Sequence, residues 1–171
     1  RMFLHNNVTV IDNSLLGRSA ASINDLDITI INDDVENLSQ YNIECDYFFH
    51  LGEYSRVEQS LDEPGLVFEN NIGSIIPVLS FCRRKGAKLI YAGSSTKFAD
   101  GGAAAHTNPY AVSKRINTEI VSAYCEFCNL EHAIVYLNNV YGPGELGTGD
   151  YATVVEKFLE LKSENKPLVV S

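Results

Sequence analysis

Three side chains offer chemistry at a spacing that lets them act together: Ser94, Tyr110 and Lys114. Tyr110 and Lys114 are four residues apart, and Pro109 stands just ahead of them, where a proline marks the first turn of a helix. Four residues along a helix put both side chains on one face, one turn from each other. An ammonium so placed biases the phenol towards its charged form. A free tyrosine titrates near ~10, and a base useful at neutral pH needs a value a few units lower, part of which a fixed cation supplies. Ser94 closes a short apolar run and adds a hydroxyl to the same cleft. The chemistry on offer is general-base catalysis.

Those residues need a strand, a loop and a helix to hold them, and the sequence alternates such elements along its length. Continuous β-branched or apolar runs at 8–11, 28–31, 47–51, 89–92 and 133–137, with another beginning at 168–170, predict strands buried on both faces. Ile72, Ile75, Ile76 and Leu79 recur with helical period, and that pattern stops at Lys85-Gly86, a basic last turn before a glycine cap. After Tyr110, the residues Val112, Ile116, Ile120 and Tyr124 repeat every fourth position, which predicts a buried stripe with Tyr110 and Lys114 facing elsewhere. A further helix is predicted over 152–163. Alternating strands and helices with right-handed crossovers build an α/β, doubly wound parallel sheet, whose ligands sit at the carboxyl ends of the strands.

A Tyr and a Lys four apart are common on helices, so the spacing is weak in isolation. The string Asn108-Pro109-Tyr110-Ala111-Val112-Ser113-Lys114, coming after Leu89-Ile-Tyr-Ala-Gly-Ser-Ser-Thr96, is far rarer. Together they resemble the extended short-chain dehydrogenase/reductase family, in its NAD-dependent nucleotide-sugar epimerase branch of the UDP-glucose 4-epimerase type. The resemblance covers nearly the whole chain but only part of the family's domain. It implies a Rossmann-like fold, NAD as cofactor, a nucleotide-diphosphate sugar as substrate, a homodimer built on the helices after Phe68 and Tyr110, and Ser94, Tyr110 and Lys114 as the catalytic set.

An acid just past the first strand is where a dinucleotide fold binds the adenosine ribose hydroxyls, and Asp12 stands there. Such an acid is also an ordinary turn residue. The resemblance assigns Asp12 and Asn13 to the cofactor, and a carboxylate at that place favours NAD over NADP because it would repel a 2′-phosphate. It likewise assigns Asp34-Val35 to the adenine. Leu51-Gly52 follows His50 in a segment where small residues let backbone approach the cofactor, and Glu53 departs from that pattern by putting a carboxylate where a small residue is usual. Asn71 is assigned to the nicotinamide half. Ser94, Ser95, Thr96 and Asn139 are assigned to the substrate, Asn139 from the turn Asn139-Val-Tyr-Gly-Pro143, which as a sequence is also a plain Asn/Gly/Pro turn.

Related dehydratases and decarboxylases carry an acid within two residues after the catalytic hydroxyl. Here those positions are Ser95 and Thr96, and a hydroxyl cannot act as a carboxylate base near neutral pH. Epimerisation needs no such acid. The rival readings are a dehydratase or decarboxylase of the same family, and a non-catalytic scaffold member of the fold.

At 171 residues the chain is expected to be one partial NAD-binding domain over 1–171, lacking the Gly-rich first strand-turn-helix and a smaller substrate domain. On that expectation, the 171 residues alone bind NAD weakly. A net charge of −9 and no basic run longer than Arg83-Arg84-Lys85 exclude a nucleic-acid surface. Without an apolar run of about 20 residues or a leader, the reading is no membrane partner and a cytoplasmic location. Cys125 and Cys128 have metal-ligand spacing, but no second pair follows, so no metal is expected and the four cysteines read as small reduced side chains.

Overall fold

The computed structural model describes residues 6–15, 27–138, 140–142 and 154–168, so Asn139 and the strand expected at 168–170 fall wholly or largely outside the described residues. The chain forms two compact units, Arg1–Leu137 and Asn138–Ser171. In the first, strands β1 (Thr9–Ile11), β2 (Thr29–Ile31), β3 (Tyr47–His50), β4 (Lys88–Ser94) and β5 (His132–Leu137) alternate with helices α1 (Gln59–Asp62), α2 (Pro64–Lys85) and α3 (Pro109–Cys128). Short 3-10 segments at Val35–Gln40, Ser95–Lys97 and Ala99–His106 follow strand ends. The second unit holds α4, Val154–Ser163.

All pairings are parallel, as the continuous apolar runs require. The single sheet expected from the sequence is two sheets, β1-β2 and β3-β4-β5. Doubly wound folds run in the strand order 3-2-1-4-5-6. The pair and the triplet reproduce the flanks of that order, and among the described residues no strand pairs with both β1 and β3. Register is set in β4, the middle strand of the triplet, where Phe48 pairs Leu89 and Leu89 pairs His132. At its far end Gly93 lies opposite Tyr136, and a Cβ on Gly93 would stand 2.8 Å from the tyrosine ring.

The core lies where α2 and α3 cover β4. Ile75, Val78, Leu79, Phe81 and Cys82 of α2, Leu89 and Tyr91 of β4, and Val121 and Cys125 of α3 form one buried cluster. Pro64 opens α2, and Gly86, at φ 68°, closes it after the basic turn Arg83-Arg84-Lys85, as the sequence predicts. By length and composition α2 would suffice to cross a membrane; 44% of its most apolar window is buried, with Ile75, Val78, Leu79, Phe81 and Cys82 in this core.

One stripe is corrected. Val112, Ile116, Ile120 and Tyr124 of α3 are only half-buried, and the fully covered line is Ala111, Lys114, Asn117, Thr118, Val121 and Cys125. Lys114 therefore faces inward, because what α3 meets there is a set of polar groups able to receive it.

Candidate active site

α3 begins where its sequence says it should. Asn108 caps it, its side-chain oxygen accepting from Ala111 N at 2.8 Å, and Pro109 occupies the first turn. This fixes Tyr110 one residue inside the helix, across from the end of β4. There Ser94, 7% exposed, lies 2.8 Å from the Thr96 hydroxyl and close enough to the Tyr110 phenol to favour its ionised form. Ser94, Thr96 and Lys114 line one cleft together with Lys97, Ala105, Arg115 and Thr118. Ser95 is half-buried at the start of the turn after β4. The loop that follows has left-handed backbone at Gly101 and Gly102, φ 63° and 95°, which explains its glycines.

Lys114 does not lean on Tyr110. Its ammonium is hydrogen-bonded to the Glu53 carboxylate and to the Ala92 carbonyl, and stands 4.5 Å above the Tyr91 ring. Glu53 is as buried as Lys114. It also accepts from the Tyr91 hydroxyl at 3.0 Å and from Asn117 Nδ2 at 2.9 Å, and lies 3.3 Å from His50 Nε2. Burial pushes the Glu53 carboxyl up, but the His50 hydrogen bond and the Lys114 charge outweigh it and hold it below the usual value. Tyr110 moves the other way: burial raises it, the Ser94 hydroxyl opposes this, and the Glu53 charge adds to the rise. The share of that lowering expected from Lys114 is offset in this arrangement by the carboxylate that binds it. The missed residue is Glu53, 61 positions from its lysine, and its only signal in the sequence was the departure from a small residue.

Asn71 is turned into the protein. Its side chain is fully buried, with Oδ1 accepting from Tyr54 N at 2.7 Å and Nδ2 donating to Tyr54 O at 3.1 Å and Ser113 Oγ at 2.9 Å. Both ends of the amide are occupied, so Asn71 braces the loop after Glu53 between α2 and α3. Its carbonyl accepts from Asn117, which ties the brace to the Glu53 cluster.

A second group of polar residues gathers at the ends of β1 and β2. Asp12 Oδ1 accepts from Ser14 N at 2.8 Å. Asn13 Nδ2 donates to Asp34 Oδ2 at 3.0 Å, and Asp34 Oδ1 accepts from Glu36 N, capping the 3-10 segment that starts at Val35. Val35 packs half-buried on the core. At the end of β3, Leu51 and Gly52 are exposed, and a Cβ on Gly52 would meet nothing within 4 Å. Among the described residues no group of three or more His, Cys, Asp or Glu could hold a metal ion. Burial pushes the Cys82 and Cys125 thiols up, to about 12 and about 11, which keeps them protonated.

A family model described as the NAD dependent epimerase/dehydratase family matches residues 3–171. No curated protein matches the sequence. Among solved structures, the chain is similar to the Bordetella bronchiseptica enzyme WbmF in complex with NAD+ (TM-score 0.84, 23% identity, 97% of this chain and 55% of that one). It is also similar to UDP-N-acetylglucosamine 4-epimerase from Methanobrevibacter ruminantium (TM-score 0.81, 23% identity, 96% and 57%). A third is UDP-glucose 4-epimerase from Thermus thermophilus in complex with NAD (TM-score 0.76, 24% identity, 94% and 56%). The chain spans a little over half the length of each of these structures.

Proposed function

From a chain that belongs to the NAD-dependent epimerase/dehydratase family, we infer that the protein epimerises a nucleotide-activated sugar. The observation that carries this reading is the placement of Ser94 at the end of β4 in one cleft with Lys114, beside the first turn of α3 that bears Tyr110, with hydroxyls and no carboxylate at Ser95 and Thr96. NAD fits the residues present: the carboxylate and amide oxygens of Asp12 and Asn13 at the end of β1 suit ribose hydroxyl donors, and the space above Gly52 admits close approach. When bound, the nicotinamide cofactor supplies the redox step, taking a hydride from a sugar carbon and returning it to the opposite face.

The chain's own residues do the rest. Tyr110 Oη takes the proton of the sugar hydroxyl as its carbon is oxidised and gives it back on reduction. Ser94 holds that same oxygen through its hydroxyl. Lys114, engaged by Glu53, supplies a cation one helical turn from Tyr110. Thr96, 2.8 Å from Ser94, fixes the serine's rotamer. With only hydroxyls after Ser94, no side chain in that turn is placed to abstract a carbon-bound proton, the step that elimination needs.

Product analysis of the protein at its full natural length, given UDP-sugars and NAD, is expected to show interconverted epimers. Formation of a 4-keto-6-deoxy or a decarboxylated sugar would move the assignment to the dehydratase or decarboxylase class.

A further inference from the structure

Glu53 is a buried carboxylate that the chemistry above does not use, and four groups converge on it. His50 from β3, Tyr91 from β4, and Lys114 and Asn117 from α3 all reach its two oxygens. The titratable or charged groups facing it are thus His50, Tyr91 and Lys114, with Tyr110 the next ionisable group on α3 that feels its charge. A lysine ammonium has three donors, and Glu53 and the Ala92 carbonyl engage it on the β4 side. An ammonium bound to a carboxylate presents almost no net charge to a phenol one helical turn away.

We propose that Glu53 is a positioning residue that sets the pH at which Tyr110 works, by holding Lys114 in a buried ion pair against β4. This rests on the reading of Tyr110 as the base. Burial alone would leave that phenol a poor base, and an unopposed Lys114 would correct it; Glu53 stands between the two. Loss of the Glu53 charge leaves Lys114 unopposed, with Lys97 and Arg115 lining the same cleft, so the phenol ionises at lower pH. The direction is opposite to that of an ordinary structural lesion, which lowers rate at every pH.

The test is the ionisation of Tyr110 itself, read as tyrosinate ultraviolet absorbance after a pH jump, with the same protein carrying Tyr110→Phe as the blank. In Glu53→Gln the Tyr110 signal is expected to move down by about one pH unit or more. The acid limb of the kcat/KM profile is expected to follow it, and Glu53→Asp to restore the wild-type position in part. A Tyr110 titration that stays put, or moves up, overturns the proposal whatever reaction the protein catalyses. A titration that moves down in a protein whose Tyr110→Phe form still turns over supports the role of Glu53 and overturns the base assignment instead. If Glu53→Gln does not fold, the double variant Glu53→Gln/Lys114→Met leaves no unpaired buried charge. Its Tyr110 titration is expected within about half a unit of wild type. A rise of more than about one unit would show that Lys114 already acts unopposed, and would overturn the proposal.

Discussion

Replacing Tyr110 by Phe removes one oxygen from a half-buried ring and leaves the helix cap and the core untouched. If the phenol carries the proton, turnover falls by about 100-fold or more while sugar-nucleotide binding persists. Steady-state kinetics beside calorimetry separates the two, and retention of more than about a tenth of the turnover rejects the assignment. Glu53 is tested by acid. Its carboxyl is held below the ordinary glutamate value of 4.5, so the stability it confers is present above that value and is lost as pH falls through the lower folded one. Glu53→Gln leaves Lys114 buried without its counter-charge, a change of about 3–5 kcal/mol at neutral pH. The gap in melting temperature between wild type and variant should therefore narrow as the pH drops, and a gap constant with pH would contradict it. The places of Ser94 at a strand end and of Tyr110 and Lys114 on one helix were legible because both follow from local pattern. The carboxylate that engages the lysine was not, since nothing local in His50-Leu-Gly-Glu53 announces a partner on a helix more than fifty residues later.

Helix α3 delivers three roles along its length: Tyr110 in its first turn, Lys114 to Glu53, and Val121 and Cys125 to the core. Its starting point is set by the Asn108 cap. Asn108→Ala should destabilise the protein by about 1 kcal/mol, with turnover falling further than the lost folded fraction explains, because Tyr110 sits in the first turn that frays. Chemical denaturation and kcat on the same samples check this; an unchanged kcat would separate the cap from the site. The ends of α2 and α3 could be read from Pro64, Gly86 and Pro109, which act locally. The buried face of α3 could not. Apolar periodicity finds a hydrocarbon core, but this face sets Lys114 and Asn117 against Glu53 just past β3, the Ala92 carbonyl of β4 and the Asn71 carbonyl of α2, while Thr118 bonds back to the Lys114 carbonyl.

Across the first unit, protection should be uneven. β4 is paired on both sides and covered by α2 and α3, whereas β1 and β2 have three residues each, none of them fully buried. Hydrogen exchange is expected to be slowest in β4 and the core turns of α2 and α3, and at least about tenfold faster in β1 and β2; equal protection would mean that the two sheets unfold as one. Parallel pairing was legible from the apolar runs, but the division into two sheets was not, because a run of Val and Ile states that a strand is covered without naming its neighbour. In β3, only β4 is a pairing partner among the described residues, and Tyr47 and Phe49 on that strand are 60% and 44% exposed. Two exposed rings on one strand favour apolar self-contact, so Phe49→Glu is expected to delay the onset of light scattering with rising concentration more than the same charge placed on an exposed face of α2, and equal onsets would exclude this strand as the contact.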